Sequence, residues 1–188
     1  MPNVQNIFPD KINKEQSILS KRKVFRGEKR NSSPGPSLRQ VSVAFFGSFI
    51  AISILALATS TTQLPLVLGS FGASCCIVFG YPDTPFARPR NVIGGHFIAT
   101  LTGLLFLYLF GAHWWSLGLA LATSIALMLM TRTAHPPAAS NPVIVMLSAP
   151  AWSFLYAPTL IGACTLVLVG ALYNNLVKSI ARRERSSV

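Results

Sequence analysis

The 188-residue chain is 51% apolar and only 11% charged, with a mean hydropathy of +0.50 and a formal net charge of +11. Soluble domains carry about a quarter charged residues; here nine of the 16 Lys and Arg precede Val41, four follow Asn175, and only Asp83, Arg88, Arg90 and Arg132 are charged in between. So sparse a middle excludes a soluble globular domain, and basic ends without a nucleic-acid-binding motif point to anionic lipid head groups rather than to nucleic acid.

Residues 1–40 are polar and basic, carry Lys21-Arg22-Lys23 and Pro34-Gly35-Pro36, and read as a flexible cytoplasmic tail with a surface helix near 12–19. No short apolar run with a small-residue cleavage site leads the chain, so a signal peptide is not expected. Six apolar segments follow, near 41–58, 64–80, 91–111, 114–131, 134–147 and 154–176, and a basic C-terminal tail occupies 178–188. A crossing helix needs about 20 residues. Segments one, three, four and six approach that length; two and five are short and contain helix breakers.

Six crossings from a cytoplasmic N-terminus place Arg88, Arg90, Arg132 and the C-terminal tail on the cytoplasmic side and leave the outer loops free of Lys and Arg, as the positive-inside rule favours. The alternative has four spans with segments two and five as re-entrant pieces. The chain also repeats itself: Gly72-Ala73-Ser74 and Ile77-Val78-Phe79 precede Ile93-Gly94-Gly95, as Ala138-Ala139-Ser140 and Val143-Ile144-Val145 precede Ile161-Gly162-Ala163. Three segments per half, about 41–111 and 114–177, make the second half enter from the opposite face. The expected fold is therefore an all-α polytopic membrane protein of two inverted repeats.

Rows of small residues, Gly95, Ala99 and Gly103 with Gly111 in segment three, and Gly118, Ala122 and Ala126 in segment four, read as helix-packing faces. Cys75, Cys76 and Cys164 lack metal or redox spacing and read as small buried thiols. His113-Trp114-Trp115, Trp152 and Tyr156 read as an interfacial aromatic belt.

Chemistry concentrates at Arg132-Thr133-Ala134-His135-Pro136-Pro137-Ala138-Ala139-Ser140-Asn141-Pro142. Prolines are tolerated in a helix's first turn, so an extended approach through 133–135 and a helix start at Pro136 are expected inside the membrane. Its free N–H groups need a protein, water or ligand partner. In the other half, Gly69-Ser70-Phe71-Gly72-Ala73-Ser74 holds the equivalent place, with Ser70 or Ser74 as cap or ligand contact. Two helix starts converging at the midplane make an anion site. Its substrate-binding residues are Ser70, Gly72, Ala73, Ser74, His135, Pro136, Pro137, Ala138, Ser140 and Asn141, with a branched side chain at Gly72 expected to crowd it. A pair of capped turns without ligand is the bland alternative. His96 within segment three is a further candidate, or an edge residue bonding a carbonyl. Arg88, Arg90 and Arg132 are supporting candidates, with topology anchors as the other reading of the first two.

His135-Pro136-Pro137, the 69–74 turn and Phe86-Ala87-Arg88-Pro89-Arg90-Asn91-Val92-Ile93-Gly94-Gly95-His96 resemble the HPP family of integral membrane proteins over about residues 40–178. That resemblance implies four transmembrane helices in the usual description of the family. Its cyanobacterial and chloroplast members are associated with nitrite transport, which implies a transporter or channel for nitrite or a similar small inorganic anion and a bacterial, cyanobacterial-type inner membrane. Ser140-Asn141-Pro142 departs from the Gly-rich continuation of many members.

One carboxylate in the embedded region provides no acid–base pair, the histidines lack zinc spacing, and Ser140 with His135 has neither nucleophile elbow nor orienting acid. No catalytic residue, metal or cofactor is expected, and a homo-oligomer is. The rival reading is a non-transporting membrane module whose broken helices serve oligomeric packing.

Overall fold

A computed structural model describes residues 35–186. The expected surface helix at 12–19, most of the N-terminal tail and the last two residues lie outside these. The described residues are helical without strands, in the order α1 (Leu38–Thr62), α2 (Gly69–Cys75) continuing as a π turn (Cys76–Gly80), a 3-10 turn (Pro85–Ala87), α3 (Pro89–Phe110), α4 (Trp114–Met130), a 3-10 turn (Pro136–Ser140), α5 (Asn141–Ser148), two irregular turns (Trp152–Leu155 and Tyr156–Leu160) and α6 (Ile161–Ser186).

By length and composition, α1, α3 and the stretch Trp152–Glu184 can each cross a membrane, while Gly69–Gly80 and α4 are shorter apolar helices. The first turns of α1, α3 and α4 hold no acidic residue and their last turns no basic one. α1 is the peripheral helix: 17% of its apolar window is buried, against 44% for α3. Phe45, Phe49 and Leu57 of α1 stay exposed, while Gly47, Ala51 and Leu55 form its buried row. A water-facing helix would not leave phenylalanines outward in this number; a lipid-facing one does so without cost.

Hydrogen bonds identify the two ends of the bundle. At one end Gln40 Nε2 donates to the Gly80 carbonyl (3.0 Å), Lys178 Nζ meets Asp83 Oδ1 (3.2 Å), and Arg90 donates to the Arg132 carbonyl (2.7 Å). At the other, the Leu66 amide donates to Thr59 Oγ1 (3.0 Å) and Tyr108 packs on Trp152. Residues 63–80 therefore travel the full way back along α1. The helix Leu38–Thr62, with 25 residues, is about 37 Å long. Non-helical residues advance about 3.3 Å each and helical ones about 1.5 Å, so a non-helical lead followed by a short helix covers the same height. Segment five runs likewise along α3, from Thr133 beside Gly94 to Val145 beside Gly103. The described chain thus passes six times between its ends, with segments two and five half helical.

Glycines set these two alignments. A Cβ on Gly95 would meet the Thr133 carbonyl at 3.1 Å and one on Gly103 would meet Val145 Cβ at 3.2 Å; one on Gly162 would meet the Leu66 carbonyl at 3.0 Å and one on Gly170 would meet Val78 Cγ1 at 2.5 Å. The offset from Gly95 to Gly162 equals that from Leu66 to Thr133, from Gly103 to Gly170 and from Val78 to Val145. Segment five lies on α3 as segment two lies on α6. This register pairs Ser74 with Asn141, one residue away from the pairing of Ser74 with Ser140 expected from sequence. The Pro136-Pro137 entry winds as a tight 3-10 turn, which a local alignment of apolar triplets does not register.

Of the two rows of small residues, Gly95, Ala99 and Gly103 are buried, whereas Gly118, Ala122 and Ala126 are exposed and α4 buries Ser116, Ala120, Ser124 and Met128 instead. Among the cysteines only Cys75 is buried; Cys76 and Cys164 are exposed, because they fall on the outer faces of their helices. All three are free thiols.

Candidate functional site

The site grows from the segment-five entry. A residue preceding proline is steered away from the α region, and His135 accordingly sits extended at φ −135°, ψ 98°, ahead of Pro136 and Pro137 in the first turn. Asn91 of α3 donates its Nδ2 to the Ala134 carbonyl (2.9 Å), which pins the entry to α3. His135 is then held between two elements. Its Nδ1 lies 2.9 Å from the Phe86 carbonyl, in the loop before α3, and its Nε2 lies 2.9 Å from Ser74 Oγ, in the last turn of α2.

Ser74 joins two imidazoles. Its Oγ is also 3.0 Å from His96 Nε2, and 3.1 Å from the Ser70 carbonyl one turn back. His96 Nδ1 is 3.0 Å from Asn141 Nδ2, which also donates to Thr100 Oγ1 at 2.8 Å, and Thr100 Oγ1 lies 3.1 Å from Thr159 Oγ1. The imidazole rings of His96 and His135 are 5.2 Å apart, and Phe71 meets His96 edge-on at 5.1 Å. Ser74, His96, Thr100, His135, Asn141 and Thr159 are all fully buried. His96 is about 10 Å along α3 and Thr100 is near its middle, so the chain of hydrogen bonds runs toward the midplane.

Polar side chains withdrawn from water into such a body must pair with one another, at a cost of about 1–3 kcal/mol for each one left over. Two are left over at this network: Ser70 Oγ and Asn141 Oδ1 are buried with no partner among the described residues. Ser116 Oγ, in α4, is a third. No carboxylate, lysine or arginine hydrogen-bonds to either imidazole among the described residues, and no three His, Cys, Asp or Glu gather as a metal site.

The sequence-derived candidates divide. The structure brings together Ser74, His96, His135 and Asn141, and buries Ser70, Pro137 and Ala138 nearby. Gly72, Ala73, Pro136 and Ser140 are exposed, and Ser140 Oγ bonds the Pro137 carbonyl (2.8 Å). A Cβ on Gly72 would meet nothing within 4 Å, so a side chain there points away from the network and does not crowd it. Neither Ser70 nor Ser74 caps α2, whose first residue follows an extended Leu68. Arg88, Arg90 and Arg132 are exposed, with Arg90 turned onto the Thr131 and Arg132 carbonyls at the end of α4. Thr100, Thr159, Asn91 and the Phe86 carbonyl are additions. Thr100 lies four residues after His96 on one helix face, a spacing that sequence offers; Thr159 and a backbone carbonyl offer none.

A cavity of about 150 Å³ lined by Val78, Pro82, Ala87, Pro89, Val167, Gly170, Ala171 and Asn174 opens at the arginine-bearing end, beside the loop whose Phe86 holds His135.

The transmembrane-region model of the HPP family matches residues 33–184. The chain belongs to the HPP family. Its His-Pro-Pro tripeptide is therefore the turn that fixes one imidazole of the buried pair. Among curated proteins it is similar to a transmembrane protein of Dictyostelium discoideum, 31% identical over 157 residues that cover 77% of this chain and 55% of the relative. A second transmembrane protein of that organism is 30% identical over 153 residues, 75% of this chain and 49% of the relative. This HPP-family chain thus spans about half the length of the curated relatives it matches. No solved structure matches it.

Proposed function

We propose that this HPP-family protein carries a small inorganic anion, nitrite foremost, across a membrane through the site centred on Ser74, His96, His135 and Asn141. One observation carries the reading: a fully buried network of hydroxyl, imidazole and amide groups, with Ser70 Oγ and Asn141 Oδ1 left without partners, inside an apolar body. A purely structural network would close on itself, since half-satisfied polar groups destabilise an apolar interior. An anion bound among neutral donors is recognised first by the unengaged Ser70 hydroxyl, with the Ser74 hydroxyl and the imidazole N–H groups reached by exchanging their present bonds, and needs no buried lysine. Association of cyanobacterial and chloroplast HPP members with nitrite transport supports this choice of ion.

The two halves form an inverted repeat in this reading, supported by the constant offset of the glycine contacts, and the site lies where the halves meet. The arginine-bearing end faces a bacterial cytoplasm, by the positive-inside rule, with the basic tails against anionic lipid. The deciding experiment is uptake into proteoliposomes of nitrite, nitrate, formate and chloride. Protein-dependent nitrite uptake, lost in Ser74→Ala, is expected; equal permeability of protein-containing and empty vesicles to all four anions sinks the reading.

The reading of broken helices as packing elements of a homo-oligomer keeps one observation of its own. Gly118, Ala122 and Ala126 form an outward row on α4 that the described residues leave exposed, and such rows let a second helix approach closely in lipid. We propose a homo-oligomer through this face; cysteine pairs placed along it should cross-link in membranes, and no cross-linking at any position rejects it.

A further inference from the structure

We infer that the anion crosses together with one proton, and that His135 Nε2 carries this proton within the hydrogen-bond chain His135–Ser74–His96–Asn141. The inference rests on the transport reading above and specifies its coupling.

Donor directions follow from the partners. A carbonyl only accepts, so the Phe86 carbonyl requires a proton on His135 Nδ1 in every state. In the neutral ring Nε2 is then an acceptor, and the Ser74 hydroxyl donates to it. That hydroxyl has a single proton, so the contact to His96 must run the other way, from His96 Nε2–H to Ser74 Oγ. His96 Nδ1 is left as an acceptor, and Asn141 Nδ2 faces it. The opposite amide orientation would place Asn141 Oδ1 against His96 Nδ1. It would bury two unpaired N–H protons instead of one unpaired carbonyl, and leave two imidazole acceptors competing for one hydroxyl proton. One neutral arrangement therefore satisfies every side-chain contact of the two rings and leaves the Ser70 carbonyl free of the Ser74 proton.

The same atoms accept one extra proton without moving. With Nε2 of His135 protonated, that nitrogen donates to Ser74 Oγ, which uses its second lone pair, and the hydroxyl proton turns to the Ser70 carbonyl 3.1 Å away. The added proton is thus a proton on Nε2 and a reoriented hydroxyl, with no bond between heavy atoms made or broken. A second proton on His96 Nδ1 would instead require the Asn141 amide to turn its unpaired Oδ1 toward the ring, which buries two unpaired N–H protons in its place.

Charge makes the coupling obligatory in this scheme. The groups facing the two rings are Ser74 from α2, the Phe86 carbonyl from the loop, Asn141 from α5 and the Phe71 ring, all uncharged. Among the described residues the charges of the adjoining loops, Asp83, Arg88, Arg90 and Arg132, are exposed at the end of the bundle, with Asp83 on Lys178 and Arg90 on backbone carbonyls. A lone anion or a lone proton in such surroundings is an uncompensated buried charge, whereas the two together are a neutral pair. Loading one favours loading the other.

Two measurements on the full chain test this. In nanodiscs, ¹⁵N spectra of histidine-labelled protein should show His135 as the Nδ1–H tautomer and His96 as the Nε2–H tautomer at high pH, with His135 alone gaining a second N–H as pH falls. The reverse tautomers, or protonation of His96 first, overturn the relay. In proteoliposomes with a trapped pH dye and the potential clamped by valinomycin, an inward nitrite or nitrate gradient should acidify the lumen with about one proton per anion, above protein-free vesicles. His135→Gln should remove the acceleration by an imposed proton gradient, and Ser74→Ala should lower coupled uptake about tenfold or more, the loss of one hydrogen bond to a charged group. Protein-dependent anion uptake without proton movement overturns the coupling and leaves the transport reading standing. No uptake of any anion by folded protein overturns both.

Discussion

Ser74 and Asn141 hold the two nitrogens of one imidazole, with Ser74 Oγ 3.0 Å from Nε2 of His96 and Asn141 Nδ2 3.0 Å from its Nδ1. The two occupy corresponding places in segments two and five by the offset of the glycine contacts. A histidine of α3 is therefore held by segments two and five at once, and a relative shift of those segments changes its hydrogen bonding.

The glycine alignments predict opposite outcomes at neighbouring sites. Gly103→Ala puts a methyl 2.9 Å from Pro142 Cα, a backbone atom that cannot step aside. It should cost about 1–3 kcal/mol, as overpacking does, read as a lower unfolding temperature in detergent. Gly72→Ala meets open space and trades glycine for a better helix former, so its unfolding temperature should stay level or rise. Gly72→Val should likewise retain uptake.

Thr100 and Thr159 predict a measurable coupling. Hydrogen bonds between membrane helices average about 0.6 kcal/mol in double-mutant cycles. Thr159→Val alone should lose about that amount. Thr100→Val should lose more, because Asn141 then loses an acceptor as well. The double variant should fall short of the sum, and strict additivity would show that the 3.1 Å contact contributes nothing.

Arg90 discriminates an anion vestibule from a structural anchor. Its guanidinium covers the Thr131 and Arg132 carbonyls, the exposed negative end of α4. Arg90→Gln should lower stability by about 1 kcal/mol and leave the half-saturating anion concentration unchanged. A several-fold rise in that concentration at unchanged stability would assign Arg90 to ion attraction instead.

Topology is open to a labelling experiment. In a background with Cys75, Cys76 and Cys164 replaced, single cysteines at Asp83, Arg88 and Arg132 should react with an impermeant thiol reagent from one face, and cysteines at Thr61 and Pro150 from the other. Reaction of all five from the same face would contradict six passes.

Much of this was legible in the sequence, for identifiable reasons. Apolar runs broken by Pro, Gly and polar residues gave the six segments, because lipid enforces that contrast. Ends were less legible. Residues 64–68 fall in the apolar run of segment two, where a short run reads alike as helix or extended chain; the structure leaves them non-helical, with the Leu66 amide on Thr59 Oγ1. His96, His135, Ser74 and Asn141 stood out as polar residues in a span. Gly72 was misplaced for want of a face: its seven-residue helix is apolar or small on both sides. Thr159 and the Phe86 carbonyl carry no pattern, since their role exists only after the segments have met.

The lodging of segment two on α6 also dictates an order of biosynthesis. Phe71 and Val78 fill the space left by Gly162 and Gly170, which leave the ribosome some ninety residues later. Until then segment two has α1, His96 of α3 and the His135 entry beside it, but not the wall that α6 supplies. A nascent chain stopped before Gly162 therefore lacks the α6 face on which Phe71 and Val78 rest, and the helix that carries Ser74 is expected to settle against both imidazoles only after the last helix has entered the bilayer.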